Sequence, residues 1–146
     1  MKIYLGSDHG GYELKKVIED YLKEEGYTTE DLGTYSEESV DYPDYGTKVG
    51  ERVVEDKNSI GIVLCGTGIG ISIAANKVKG VRCALCANVY SAEMAKKHNN
   101  ANVIALGGRT TGKDLAKRIV KAFLDEQYEG GRHQRRVDKI MNYQNK

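Results

Sequence analysis

The run Ser59-Ile60-Gly61-Ile62-Val63-Leu64-Cys65-Gly66-Thr67-Gly68-Ile69-Gly70-Ile71-Ser72-Ile73-Ala74-Ala75-Asn76 constrains the fold more than any other stretch of the chain. A β-branched apolar run with no polar alternation suits a strand buried on both faces, and helix-compatible spacing begins at Ile69. Cys65 therefore falls at the strand's carboxyl end. In open α/β sheets that is where ligands bind, and the glycines after it let successive backbone N–H groups turn inward at a helix N-terminus, forming a concavity for negative charge. The helix dipole favours the thiolate of a cysteine placed there. The combination reads as a candidate base or nucleophile beside an anion hole. The plainer alternative is a tight strand-to-helix turn with an inert buried thiol.

Two commoner glycine motifs do not fit. A Walker A loop ends in Gly-Lys-Ser/Thr, whereas the next lysine here is Lys77. The dinucleotide fingerprint needs G-x-G-x-x-G after the first strand, but Gly66, Gly68 and Gly70 are spaced G-x-G-x-G after the third.

The remaining chain repeats a strand–helix alternation. Lys2 to Leu5 reads as a first strand, followed by Ser7-Asp8-His9-Gly10-Gly11 and a helix on Leu14, Val17, Ile18, Tyr21 and Leu22. Asp8 suits a helix N-cap and His9 a solvated loop, unless both face a ligand. Tyr27 to Leu32 is a weak second strand, and Gly33 to Asp44 a polar loop holding the only proline, Pro43. Tyr42 and Tyr45 could stack on a ligand there or simply pack on the surface. Tyr45 to Asp56 is expected to be helical, Arg82 to Ala87 a fourth strand, Ser91 to His98 a helix and Ala101 to Leu106 a fifth strand. Cys83 and Cys86 are three apart on that fourth strand, so they face opposite sides of the sheet and do not form a metal or redox pair. After Gly107-Gly108-Arg109 comes a helix with Leu115, Ile119, Val120, Phe123 and Leu124 on one face, then Gly130-Gly131 and a last helix over about 132–142. On that helix Arg132 and Arg136 share a face and can converge on one anion, although a charge run is more often a solvated surface.

The pattern predicts an α/β fold with a parallel sheet covered on both faces, all 146 residues forming one domain. The flagged residues from Asp8 to Arg109 are then expected at or just beyond the carboxyl ends of strands. Lys and Arg total 22 against 21 Asp and Glu, a net charge of +1 that gives no general reason to bind nucleic acid or an acidic membrane surface. Three cysteines make no disulfide framework, and neither a signal peptide nor a spanning run is visible. The expected compartment is a reducing cytoplasm.

Ser7-Asp8-His9-Gly10-Gly11, Ser39-Val40-Asp41-Tyr42-Pro43, Cys65-Gly66-Thr67-Gly68-Ile69-Gly70, His98-Asn99, Gly107-Gly108-Arg109 and Gly131-Arg132-His133-Gln134-Arg135-Arg136 occur in this order. In these motifs the chain closely resembles, over nearly its whole length, the type B ribose-5-phosphate isomerases of the sugar-phosphate isomerase family, which also holds galactose-6-phosphate isomerase subunits. The resemblance implies a Rossmann-like three-layer α/β/α sandwich with a five-stranded parallel sheet. It implies homodimers, in some members paired into tetramers, with active sites at the subunit interface. The implied reaction interconverts ribose 5-phosphate and ribulose 5-phosphate in the pentose phosphate pathway, with no metal or organic cofactor. By the same resemblance Cys65 is the base, and Thr67 with the amides of Gly66, Gly68, Ile69 and Gly70 holds the enediolate. His98 opens the sugar ring in the site built around the partner subunit's Cys65, Asp8, His9 and Asn99 bind sugar or phosphate, and Arg109, Arg132 and Arg136 bind phosphate. Members that use a carboxylate after the third glycine differ here, where Ile71 stands.

Elementary chemistry agrees with that assignment. Aldose–ketose isomerisation needs one group that takes a proton from C2 and returns it at C1, with donors aimed at the developing oxyanion. Ring opening needs an acid–base group, and a dianionic phosphate needs fixed positive charge. The rivals are an isomerase of allose 6-phosphate or galactose 6-phosphate, and a non-catalytic sugar-phosphate sensor, which would have no use for Cys65.

Overall fold

A computed structural model describes residues 1–146. Strands and helices run β1 (Lys2–Ser7), α1 (Tyr12–Glu24), β2 (Thr28–Asp31), α2 (Tyr42–Glu55), β3 (Ser59–Cys65), α3 (Ile69–Ala75), β4 (Cys83–Leu85), α4 (Val89–Lys97), β5 (Val103–Gly107), α5 (Lys113–Asp125) and α6 (Arg132–Tyr143). The five strands form one parallel sheet in the order β2-β1-β3-β5-β4.

Side chains alternate across this sheet, as the twofold period of a strand requires. Ile3 and Leu5 of β1, Ile60, Ile62 and Leu64 of β3, and Ile104 and Leu106 of β5 pack against α1, α4 and α5. The intervening Tyr4, Val63, Cys65, Val103 and Ala105 pack against Val49 and Val53 of α2 and Ile71 and Ala75 of α3. Because both faces are covered, β3 is buried along its whole length, which is why it reads as one unbroken apolar run. The chain leaves β1 and β5 towards α1 and α5 on the first face, but leaves β3 towards α3 on the second. The exits diverge at the end of β3 and open a crevice there, at Cys65.

Local readings differ from the sequence expectation at α2 and β4. Helix α2 starts at Tyr42 rather than Tyr45, with Pro43 in its first turn, where the missing N–H has no intrahelical partner to lose. Tyr42 is thus a helix residue rather than a loop residue. Strand β4 has only three residues, and its start is held by side chains, Asn102 Oδ1 accepting from Arg82 N–H at 2.7 Å and Asn76 Oδ1 from Cys83 N–H at 2.8 Å. Cys83 and Cys86 do lie on opposite faces of the sheet.

Lys15 of α1 is fully buried. Its ammonium donates to Asp31 Oδ1 at 2.8 Å and to the Thr34 carbonyl at 2.5 Å. Burial pulls its pKa down and the Asp31 carboxylate opposes that shift. The contact fixes the start of the segment joining β2 to α2.

Candidate active site

Cys65 ends β3 with 5% of its surface exposed, and the Gly68 N–H donates to its sulfur at 3.2 Å. That approach depends on Gly68, whose φ of 79° lies in the left-handed region open to glycine. Thr67 Oγ1 accepts from the Ile69 N–H at 3.2 Å, so two amides of the loop are engaged by its own side chains. Gly70 matters for a different reason: a Cβ there would lie 2.6 Å from the Tyr42 ring, so glycine admits the tyrosine against the first turn of α3. Backbone bonds from Gly108 N–H to the Cys65 carbonyl (2.8 Å) and from Arg109 N–H to the Gly66 carbonyl (2.9 Å) tie the β3 and β5 loops together.

Across the crevice, Asp8 is nearly buried, and its Oδ1 accepts from Gly10 N–H (2.9 Å) and Gly11 N–H (3.1 Å). It therefore shapes the turn before α1, while Gly11 holds the N-cap position. His9 Nδ1 accepts from the Val40 N–H at 3.2 Å, which leaves Nε2–H as its free donor. His9 and Arg109 line one cleft of about 210 Å³, together with Glu13 and Glu37. Asp8, His9, Tyr42, Cys65, the Gly66–Gly70 loop and Arg109 are thus grouped at the carboxyl edge.

The topology corrects the expectation that all flagged residues from Asp8 to Arg109 gather there. His98 and Asn99 follow α4 and precede β5, whose first residue, Val103, pairs with Gly61 near the start of β3, whereas its last, Gly107, pairs with Cys65. Four strand steps of about 3.3 Å put these two ends roughly 13 Å apart. His98 and Asn99 lie at the amino edge because the helix preceding a parallel strand must end where that strand begins. Asn99 lines a cleft of about 490 Å³ between β4 and α6. A cleft of about 540 Å³ also lies at the amino edge, around Met1, Asn58, Arg82 and Lys96, away from the flagged residues of the carboxyl edge.

Two members of this second group escaped sequence reasoning. The His98 ring stacks on His133, with centroids 4.1 Å apart and planes 13° off parallel. Glu129 Oε1 lies 3.3 Å from His133 Nε2 and 3.8 Å from His98 Nε2. His133 is buried with Val137 one turn on, an i, i+4 pattern that marks the inner face of α6 and was hidden among the arginines. Glu129 carried no signal, since only the return of the chain, fixed by its N–H donating to the Lys97 carbonyl at 3.0 Å, brings it to His98. Arg132 and Arg136 lie one turn apart on α6 and are exposed.

The sequence profile of the family described as Ribose/Galactose Isomerase matches residues 3–140. The chain belongs to that family. A ribose-5-phosphate isomerase B of Escherichia coli K12 is 50% identical over 95% of this chain and 93% of its own length. Among solved structures, ribose-5-phosphate isomerase B of Clostridium thermocellum superposes with a TM-score of 0.97 at 55% identity, covering 99% of this chain and 98% of that one. The Mycoplasma genitalium ribose-5-phosphate isomerase B, crystallised with bound ribulose 5-phosphate, gives 0.95 at 43% identity over 99% and 97%. This member of the ribose/galactose isomerase family has no helix long and apolar enough to cross a membrane.

Proposed function

We propose that the chain is an aldose–ketose isomerase acting on ribose 5-phosphate and ribulose 5-phosphate. The observation that carries this reading is the Gly68 N–H aimed at the Cys65 sulfur in the crevice where the β3 exit diverges from its neighbours. Cys65 takes the proton from C2 of the open-chain aldose and returns it at C1, and the Gly66–Gly70 loop with Thr67 faces the enediolate oxygens. His98 takes the proton of the anomeric hydroxyl and passes it to the ring oxygen as the C1–O4 bond breaks. Asp8, His9, Tyr42 and Asn99 hold the sugar, and Arg109, Arg132 and Arg136 hold the phosphate.

Since Cys65 and His98 lie at opposite edges of one sheet, we infer that each working site takes Cys65 from one subunit and His98, Asn99, Arg132 and Arg136 from the other. A twofold axis beside β4 would turn the amino edge of one chain towards the carboxyl edge of its partner and form two equal sites. Ile69 and Ile73 of α3, Leu85 of β4, and Ile140 and Tyr143 of α6 are large apolar side chains 42–71% exposed, which suits a second copy there.

Turnover of ribose 5-phosphate against allose 6-phosphate and galactose 6-phosphate by the purified protein tests the substrate. Higher kcat/KM for the pentose is expected, and a preference for either hexose overturns the assignment.

A further inference from the structure

We propose that His98, Glu129 and His133 form a binding site for a zinc-class divalent cation, and that occupancy shuts off isomerisation. The inhibitory half of the proposal rests on His98 opening the sugar ring, whereas the binding half does not.

One donor atom from each of the three side chains lies within 4.8 Å of the other two. Two imidazoles and a carboxylate are a donor set that zinc takes with an open fourth position. Ligand atoms on a tetrahedral zinc, with bonds of about 2.0–2.1 Å, stand about 3.3 Å from one another. Glu129 Oε1 and His133 Nε2 already stand at 3.3 Å. His98 Nε2, at 3.8 Å from the same oxygen, has about 0.5 Å to close, and its ring is more than a third exposed and free to tilt out of the stack. The set is held from two sides. His133 is buried on α6, and the Glu129 backbone is pinned to the end of α4. None of the three side chains makes another hydrogen bond or ion pair, so a cation displaces no partner.

A cation bound to His98 Nε2 occupies the lone pair that would accept the anomeric hydroxyl proton. It also adds positive charge beside Arg132 and leaves the carboxyl-edge loop of the same chain unchanged. The open fourth position is satisfied by water or by an oxygen of the sugar.

Binding is read directly, by competing the protein against a chromophoric chelator for Zn²⁺, with Co²⁺ spectra to identify donors. One site per chain is expected, with no thiolate-to-cobalt charge-transfer band, which excludes Cys65, Cys83 and Cys86 as ligands. Glu129→Gln, at an exposed position that folding does not depend on, should weaken Zn²⁺ at least about tenfold, as should His133→Gln. Unchanged affinity in Glu129→Gln, a thiolate band, or no saturable binding overturns the site. Substoichiometric Zn²⁺ should inhibit turnover of ribose 5-phosphate in proportion to occupancy, reversibly with chelator, and Glu129→Gln should resist it. Tight binding that leaves activity intact removes the ring-opening role of His98 while the cation site stands.

Discussion

The two groups of candidate site residues in this chain are held in place by different means. At the carboxyl edge, Asp8, Cys65, Thr67 and Arg109 sit within two residues of strand ends, held by hydrogen bonds of 2.8–3.2 Å within and between their loops. At the amino edge, His98, Glu129 and His133 meet near the ends of α4 and α6 through ring stacking and long contacts of 3.3–3.8 Å, while Arg132 and Arg136 stand exposed on α6. A strand end is positioned by the ladder of a single chain, so the carboxyl-edge group, to which proton transfer is assigned in the proposal, is built within the monomer. The group on α4 and α6 has charge and acid–base capacity but no oxyanion loop of its own. On the proposed shared site, the contrast is between a half set by one chain's ladder and a half that a second copy would bring to it.

Removing the proposed base is the strongest test of the carboxyl-edge half. Cys65→Ser keeps the size but is too weak an acid to supply a base at neutral pH, so kcat should fall at least about a hundredfold with KM nearly unchanged. Retention of more than about a tenth of wild-type kcat would remove Cys65 from that role.

On the other side of the comparison, Arg132→Ala and Arg136→Ala should act on KM instead. Each should cost roughly 1.5–3 kcal/mol in kcat/KM for ribose 5-phosphate, the range for a charge-assisted contact, and far less for unphosphorylated ribose. Equal losses on both sugars would make the arginines structural.

Whether the halves meet across subunits can be read by complementation. Cys65→Ala and His98→Ala homodimers should each be nearly inactive on the cyclic sugar. Co-refolded with random pairing, about half the dimers are mixed and each has one intact site, so about a quarter of wild-type activity should return. A mixture as inactive as its parents, with subunit exchange verified, would place Cys65 and His98 in one chain's site.

The smallest effect separates Cys65 from its fellow thiols. Burial pushes the Cys83 thiol up, with Cys86 adding to the shift, and pushes Cys86 up to about 11. Both stay protonated at pH 8, and only a thiolate alkylates readily. Iodoacetamide at that pH should label Cys65 alone, with ribose 5-phosphate protecting it. Mass spectrometry showing equal labelling of all three would erase the distinction.

What the sequence by itself determined is local. The unbroken apolar run into Cys65, the glycines after it and the repeated strand–helix alternation dictate a buried parallel sheet with a thiol at a carboxyl end, because burial on both faces and the φ of Gly68 act over a few residues. Cys83 and Cys86 were separable for the same reason, since strand parity needs no tertiary knowledge. The placement of His98 was decided by the tertiary structure. Proximity in a list of motifs says nothing about which edge of a sheet a residue reaches, and connectivity through α4 sends it to the amino edge. Glu129 and His133 became neighbours of His98 only when α5 returned the chain beneath α4. A contact between residues about 30 positions apart comes from packing and has no period or spacing in the sequence to announce it.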